Sequence, residues 1–157
     1  MQPTAGNRMR VPGTVNEILK HKGATVWAIS AEATVFEALE LMAEKNIGAL
    51  LVQAHGKPLG VVAERDYTRK VALRGKTSRE TKVGEILSTP MISATSANTV
   101  EECMRMMTVN RVRHLPVLEG ETVVGIVSIG DLVNWIISTQ SETINQLESY
   151  ISGQYPG

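Results

Sequence analysis

Cysteine is almost absent from this sequence, since Cys103 is the only thiol among 157 residues. One thiol forms no internal disulfide and supplies no cluster of sulfur ligands, which excludes disulfide-stapled and Cys-zinc scaffolds. Aromatic residues are also scarce at 4%, although 43% of the chain is hydrophobic and seven residues are methionine. We therefore expect a core made of aliphatic side chains and methionine.

Neither sign of charge is in surplus, because sixteen basic residues balance sixteen acidic ones. Nucleic acids and anionic membranes attract proteins through a positive surplus, so neither is expected as the main partner. No run of about 18 apolar residues occurs, which is the least that a membrane-spanning helix needs. Residues 1–13 are polar, contain no apolar signal segment and are expected to be flexible. These features predict a cytoplasmic protein.

Signatures of catalysis are missing as well. The chain has no Gly-rich dinucleotide turn in the right strand context, no Gly-Lys-Ser/Thr phosphate loop and no nucleophile elbow. Carboxylates do not pair in a pattern suited to acid/base chemistry. His114 has no second histidine or carboxylate at ligand spacing, so no metal site is expected. The sequence predicts a protein that is not an enzyme.

What the sequence does contain is an internal repeat. Shifted by 65 positions, residues 34–66 align without a gap on residues 99–131. Upstream the shift grows to 68, where residues 15–19 match residues 83–87. The aligned identities in the gapless part are Thr34/Thr99, Val35/Val100, Glu37/Glu102, Met42/Met107, Leu50/Leu115, Val52/Val117, Gly60/Gly125, Val62/Val127 and Asp66/Asp131.

Each copy carries the same pattern of secondary structure. An opening strand is expected over residues 25–29 and 91–94. A helix with one apolar stripe follows, and each helix starts with a capping box, Thr34 with Glu37 and Thr99 with Glu102. Two short apolar runs around a glycine turn then predict a hairpin, and a second helix begins near the aligned aspartate. The stripes are Val35, Ala38, Leu39 and Met42 in one copy and Val100, Cys103, Met104 and Met107 in the other.

The repeat divides the chain into five parts. They are a flexible N-terminus over 1–13, a first repeat over 14–75, a linker over 76–81, a second repeat over 82–138 and a helical tail over 139–157. Ile144, Leu147 and Ile151 form an apolar stripe in the tail. This stripe is suited to the core or to an oligomer contact, and the contact is favoured because the repeat is already complete. Cys103 falls on the buried face of its helix, which favours a structural role.

The end of the second hairpin strand carries candidate binding chemistry. In copy two, Ser128 lies where a strand passes into a helix, and backbone N–H groups with a hydroxyl at a helix N-terminus favour phosphate. Asp131 offers two acceptor oxygens, which suit the adjacent hydroxyls of a ribose. The alternative is that both residues only cap the helix, and capping is compatible with binding. Copy one keeps Asp66 but has Ala63 at the serine position.

Basic side chains occur beside both candidate sites. Arg65 precedes Asp66 and could replace the missing hydroxyl as a cation. Arg111, Arg113 and His114 lie between helix and strand in copy two, where they could face an anion. A solvated loop is the alternative for each of them.

These motifs together resemble the paired cystathionine-β-synthase (CBS) domain, also called the Bateman module. The resemblance covers about residues 14–138, and the chain looks like the stand-alone bacterial type of this family. It implies a mixed α/β (α+β) fold of two tandem β-α-β-β-α repeats packed as a pseudo-twofold pair. The matching segments are Thr99-Val100-Glu101-Glu102, Arg113-His114-Leu115-Pro116-Val117 and residues 125–131 in copy two, with residues 47–52 and 64–67 in copy one.

The resemblance further implies two clefts between the copies that bind AMP, ADP, ATP, NAD or S-adenosylmethionine. Ser128 would contact phosphate and Asp131 ribose in one cleft, whereas Asp66 would hold ribose in the other. Because Ala63 departs from the family pattern, a stronger site at Ser128 and a weaker one at Asp66 are expected. The adenine pocket beside Ser128 would be lined by Thr25, Val26, Ile47, Gly48 and Ala49. The cleft at Asp66 would have Ser93, Val112, Arg113 and His114 nearby.

The predicted function is a regulatory, signal-transducing module that senses AMP or ATP, with NAD as a further candidate, and requires no metal. A homodimer and an unidentified protein partner are implied. The alternative is a structural dimerisation module without ligand, to which Ala63 points. On the sequence-based ranking, Asp131→Ala abolishes the tighter site and Asp66→Ala affects mainly the weaker one.

Overall fold

A computed structural model of the chain describes residues 11–87 and 90–151, without the side chains of 141–151. Each repeat contains the predicted order of strands and helices, which confirms the mixed α+β fold class. The elements are α1 (Val15–Lys22), β1 (Ala28–Ser30), α2 (Val35–Lys45), β2 (Ala49–Ala54), β3 (Lys57–Ala63), α3 (Glu64–Lys70), β4 (Ala94–Thr95), α4 (Val100–Asn110), β5 (His114–Glu119), β6 (Thr122–Ser128) and α5 (Ile129–Ile151). Short 3₁₀ turns occur at Ala72–Arg74 and Val83–Ile86.

The strands form two equivalent three-stranded sheets, β1-β2-β3 and β4-β5-β6. The first two strands of each sheet are parallel, and the last two form the predicted antiparallel hairpin. The opening strands were predicted over 25–29 and 91–94, which is wrong in position and length. Only Ala28–Ser30 and Ala94–Thr95 have ladder partners on the neighbouring strand, so the strands begin later and are shorter.

The predicted helix caps at the two threonines are present. Thr34 Oγ1 accepts a hydrogen bond from the backbone N–H of Glu37 at 3.1 Å, and Thr99 Oγ1 accepts one from Glu102 at 3.1 Å. In copy two the Glu102 carboxylate also accepts from the Thr99 N–H at 2.8 Å, which completes the capping box. Both helices end at a residue in the left-handed region, Asn46 with φ 54° and Arg111 with φ 54°.

Each repeat has its own aliphatic and methionine core, as the composition predicted, but the first segments of the two repeats are exchanged. Helix α1 opens the first repeat in the sequence and packs in the core of the second. The 3₁₀ turn Val83–Ile86 opens the second repeat in the sequence and packs in the core of the first. The second core consists of Val15, Ile18, Leu19, Ala94, Val100, Cys103, Met107, Leu115, Val117, Val127 and Leu132. The first consists of Val35, Ala38, Met42, Leu50, Val52, Val62, Val71, Val83 and Ile86.

The exchange is fixed by backbone contacts as well as by packing. Thr14 forms a bridge with Thr99, and Thr34 forms one with Lys82. Helix α1 also lies directly on β6, because a Cβ at Gly125 would come within 2.6 Å of the Leu19 side chain. Each core is therefore completed by a segment that the chain contributes from the start of the other repeat.

Cys103 is fully buried in the second core, where the sequence placed it. Burial raises the pKa of its thiol to about 11, and the nearby Glu102 carboxylate acts in the same direction. Since the thiolate is the reactive form, this position makes Cys103 an inert core residue at neutral pH.

The ends of the chain are described only in part. Residues 1–10 of the expected flexible N-terminus and residues 152–157 of the tail lie outside the described residues. Pro12 is held against α5, since its carbonyl accepts a hydrogen bond from Trp135 Nε1 at 2.7 Å. Helix α5 runs without a break to Ile151, although the side chains of the predicted tail stripe lie outside the description. In the part that is described, no helix has the length and apolar character to cross a membrane.

Candidate functional site

A cleft of about 550 Å³ opens between the two repeats, at the C-terminal end of β3 and the start of β5. Its volume lies within the range of small-molecule sites in proteins. Both repeats contribute to its wall. The cleft includes seven of the residues that the sequence or the resemblance selected for binding: Gly48, Arg65, Asp66, Arg111, Val112, Arg113 and His114.

Equivalent backbone bonds hold the strand-to-helix junctions of the two repeats. The N–H of Glu64, the first residue of α3, donates to the Gly48 carbonyl at 3.2 Å. The N–H of Ile129, the first residue of α5, donates to the Arg113 carbonyl at 2.9 Å. Each second helix is therefore anchored to the residue just before the first hairpin strand, and this contact sets the position of the aspartate in its first turn.

Asp66 combines a capping role with a place in the open cleft. Its Oδ2 accepts from the Ala63 N–H at 2.8 Å, and its Oδ1 lies 3.5 Å from Lys70 Nζ. Lys70 in turn donates to the Ile86 carbonyl at 2.8 Å. Asp66 therefore does cap its helix through Oδ2, and Oδ1, which lies beside Lys70, has acceptor capacity left for a ligand hydroxyl.

Asp131 has the same cap but a different cationic partner. Its Oδ2 accepts from the Ser128 N–H at 2.8 Å, and Ser128 Oγ accepts from the Asp131 N–H at 3.1 Å. Lys22 Nζ, at the end of α1, lies 2.6 Å from Asp131 Oδ2 and donates to the Ile126 carbonyl at 2.9 Å. Asp131 Oδ2 thus carries both contacts and Ser128 Oγ accepts one, so the residues that were predicted to bind phosphate and ribose also cap the helix.

Sequence reasoning missed Lys22, although the repeat contained a signal for it. The shift of 68 that aligns residues 15–19 with 83–87 also aligns Lys22 with Pro90. Pro90 lines the open cleft at Asp66 and has no side-chain donor. On this alignment α1 brings an ammonium group to Asp131, whereas Pro90 brings none to Asp66, whose ammonium neighbour is Lys70 of its own helix.

Four arginines line the cleft: Arg65, Arg69, Arg111 and Arg113. None forms an ion pair with a carboxylate of residues 11–87 or 90–140 at 4.0 Å or less. Desolvation lowers the pKa of Arg65, and the like charges of Arg69 and Arg113 act in the same direction. The sequence named Arg65, Arg111 and Arg113, whereas Arg69 could have been found from its position one helical turn after Arg65.

His114 lies near enough to both aspartates for their charges to act on its imidazole. Burial lowers the pKa of its imidazole most strongly, with a smaller contribution in the same direction from Lys22, while Asp131 and Asp66 oppose the shift. A lowered pKa makes the neutral ring the main form at pH 7, because the ordinary value is already below neutrality. His114 is therefore suited to donate or accept a hydrogen bond rather than to supply charge.

The other predicted residues do not line this cleft. Ile47 packs against the first core, and Ala49 is buried in β2, where it pairs with Ala63. Thr25 and Val26 lie in the loop between α1 and β1. Ser93 was expected near Asp66, but its neighbours Met91 and Ile92 line the cleft instead; Gly48, assigned to the Ser128 side, lies in the Asp66 cleft. Among the residues with described side chains, no group of three His, Cys, Asp or Glu could hold a metal ion.

Comparisons with known proteins agree with this architecture. The mitochondrial CBS domain-containing protein CBSX3 of Arabidopsis thaliana is 36% identical over 152 residues, which cover 90% of this chain and 73% of the relative. A solved CBS-domain protein from Burkholderia ambifaria MC40-6 is 44% identical, with a TM-score of 0.78, and covers 82% of this chain and 96% of its own.

A more distant structure was solved with ligands. It is the CBS domain pair of protein MJ0100 in complex with 5′-methylthioadenosine and S-adenosyl-L-methionine. At 22% identity and a TM-score of 0.70, covering 81% of this chain and 98% of its own, it shares the fold with this chain. The CBS domain family itself matches residues 23–73 and 83–138. The chain therefore belongs to the CBS domain family, of which it carries a tandem pair.

Proposed function

We propose that this CBS pair is a regulatory module, not an enzyme, and that it binds an adenine nucleotide such as AMP, ATP or NAD in the Asp66 cleft. The observation that carries the proposal is the shared lining of the cleft. Asp66 and Arg65 come from the first repeat, while Arg113 and His114 come from the second. A ligand held by both repeats favours one relative position of the two, which is how binding would change a partner contact.

The choice of an adenine ligand rests on two supports. A carboxylate beside an arginine-lined wall suits a molecule with hydroxyls at one end and phosphate at the other. The protein MJ0100, which shares the fold, was solved with two adenosine compounds. AMP, ATP and NAD combine an adenosine unit with phosphate, so they satisfy both supports.

One ligand per chain is expected, and its place differs from the sequence-based ranking. That ranking put the stronger site at Ser128 and Asp131 because only copy two has the hydroxyl. Lys22 Nζ lies 2.6 Å from Asp131 Oδ2, so a ligand there would have to displace the ammonium group. At Asp66 the ammonium group of Lys70 is farther away, at 3.5 Å from Oδ1, and Pro90 lines the cleft where the sequence alignment places the counterpart of Lys22. We infer that Asp66 belongs to the primary site.

Calorimetric titration with AMP, ATP, NAD and S-adenosylmethionine tests the proposal. Asp66→Asn should weaken the tightest of them about 10- to 100-fold, because a hydrogen bond to a charged group contributes roughly 1.5–3 kcal/mol. The matched control is Asp131→Asn, which removes the equivalent charge beside Lys22 and should leave the primary site nearly unchanged.

Two results would contradict this assignment. Absence of heat and of any thermal shift with all four compounds would reject nucleotide sensing. Loss of binding in Asp131→Asn, with Asp66→Asn unaffected, would instead restore the sequence-based ranking.

A structural dimerisation module without ligand is the second candidate, and a specific observation favours it. Ala63 is the N-cap residue of α3 and offers no side-chain hydrogen bond, whereas Ser128 caps α5 through its hydroxyl. Purified protein that releases no nucleotide on denaturation and binds none would support this candidate.

We also propose a homodimer in which α5 contacts the partner. Val133 and Ile137 are one turn apart on α5 and remain 40% and 57% exposed. Positions 140, 144, 147 and 151 of the same helix continue the alternating spacing of four and three residues, which is the spacing of a coiled-coil seam. Four of these six positions carry isoleucine or leucine, one valine and one glutamine.

Ile137→Asp should convert the dimer into a monomer, because it places a charge in the middle of the seam. Sedimentation velocity measures the change directly. The control is Ser138→Asp, which adds the same charge at the next exposed position of the helix. A monomeric wild-type protein, or a dimer that survives Ile137→Asp, would reject the α5 interface.

A further inference from the structure

We propose that the Asp66 cleft selects nucleotides with a di- or triphosphate chain over nucleoside monophosphates and over neutral or cationic adenosine compounds. This inference rests on the proposed function and narrows its ligand class. It is carried by the side chains of the cleft wall, of which five are cationic and two anionic.

The cationic side chains of the wall outnumber the carboxylates that could neutralise them. Asp66 is engaged by the Ala63 N–H and lies beside Lys70, so it does not neutralise the arginines. Glu64 lines the same wall and forms no ion pair among the described side chains. Arg65 lies near enough to Arg69 and Arg113 for their charges to lower its pKa. A polyanion in the cleft would relieve this repulsion. It would also join the repeats, because Arg65 and Arg69 belong to the first repeat and Arg113 to the second.

The number of donors exceeds what one phosphate can use. Each guanidinium carries five N–H donors in a planar fork. A monophosphate presents three terminal oxygens, so it can satisfy only part of four such forks. Arg65 and Arg69 also follow one another at i and i+4, which makes a row along one face of α3 instead of a single point of charge. A longer phosphate chain matches such a row.

Arg111 gives a further reason to assign charge to the ligand. It ends α4 with φ 54°, in the left-handed region that asparagine adopts more readily than arginine. The equivalent residue at the end of α2 is Asn46, with φ 54°. Copy two thus has the less suitable residue for the backbone at the position that borders the cleft, and what it gains there is a positive charge.

The remaining features of the wall fit an anion held by cations. Ala63 supplies no hydroxyl to a phosphate, so the side-chain donors that α3 offers to the cleft are the two arginine forks and the Lys70 ammonium group. S-adenosylmethionine carries a positive sulfonium centre, and 5′-methylthioadenosine carries no charge. Neither compensates the cationic wall, so both should bind more weakly than a nucleoside triphosphate.

The experiment is a calorimetric series with ATP, ADP, AMP, 5′-methylthioadenosine and inorganic tripolyphosphate, without divalent cations. We expect affinity to rise about tenfold with each added phosphate, which corresponds to about 1.4 kcal/mol per step. The affinity for ATP should fall more steeply with salt than the affinity for AMP, since binding of more charge releases more counterions.

Arg111→Asn is the informative variant, because asparagine suits the left-handed backbone at this position and the fold should be retained. It should weaken ATP about tenfold and AMP by much less. Arg105→Gln is the matched control: it removes the same charge from an exposed position of α4 that does not line the cleft. It should leave both affinities unchanged.

The outcomes separate this inference from the proposed function. Equal affinities for AMP and ATP, or tightest binding of 5′-methylthioadenosine, would overturn the polyphosphate preference and leave adenine-compound sensing intact. Equal loss of AMP and ATP binding in Arg111→Asn would also overturn it. Binding of tripolyphosphate with no binding of any adenine compound would support the anion site and reject the proposed function.

Discussion

Val15→Asp should unfold the second repeat and spare the first, although Val15 belongs to the first repeat in the sequence. Its side chain is fully buried in the second core, with Leu115 and Val127 in the same cluster. A buried carboxylate without a partner costs several kcal/mol, so we expect a loss of about 4 kcal/mol or more in the free energy of unfolding. A domain of ordinary stability has only about 5–15 kcal/mol in total.

Hydrogen exchange locates the damage, and urea denaturation measures its size. Amides of β5 and β6 should lose protection first, while those of β2 and β3 keep theirs. Asn16→Asp is the matched control, because it adds the same charge at the neighbouring exposed position and favours the N-terminus of α1. Earlier loss of protection in β2 and β3 would show that α1 stabilises the first repeat instead.

The elements that the sequence predicted well depend on local patterns. Thr34 and Thr99 cap their helices as expected, because a capping box lies within four residues. The hairpins were recognised from two apolar runs around a glycine turn, and both are present. The opening strands were misplaced because two or three paired residues are too few to show an alternating pattern.

The exchange of α1 and the 3₁₀ turn Val83–Ile86 between the two cores could not be predicted from the sequence. Val15, Ile18 and Leu19 make an apolar stripe that would suit either core, and nothing in its spacing names the partner. The exchange is reciprocal, because Val83 and Ile86, the aligned residues of the other copy, fill the first core in the same manner. The apolar spacing of α1 is compatible with either core, and only contacts between residues far apart in the chain decide which core it joins.

The sequence predicted which residues form the candidate site better than it predicted the contacts that these residues make. Asp66, Arg113 and His114 were selected from motifs and lie together in the open cleft. The ranking of the two sites rested on Ala63 against Ser128, a difference within the motif. The contact between Lys22 and Asp131 joins residues 109 positions apart, and only the folded chain reveals it. The order of the two affinities stays a prediction.

A reciprocal exchange at the pseudo-symmetric pair Lys22 and Pro90 should reverse the accessibility of the two clefts. Lys22→Met removes the ammonium group from Asp131 and keeps a side chain of similar length on α1. Ser128 and Asp131 then become available, and we expect the ligand stoichiometry to rise from one to two per chain. Pro90→Lys brings an ammonium group towards Asp66 and should weaken the primary site about tenfold, or about 1.4 kcal/mol.

The design contains its own controls. Lys20→Met removes the same charge from an exposed position of α1 and should leave the stoichiometry at one. Adding Asp131→Asn to Lys22→Met should remove the second site again, which ties the new binding to that carboxylate. An exposed ion pair stabilises a protein by only about 0–1 kcal/mol, so Lys22→Met should cost little stability. A stoichiometry of two in the wild type, or of one in Lys22→Met, would mean that Lys22 does not close the second cleft. In that case the asymmetry would have to come from Ala63 and Ser128, as the sequence alone suggested.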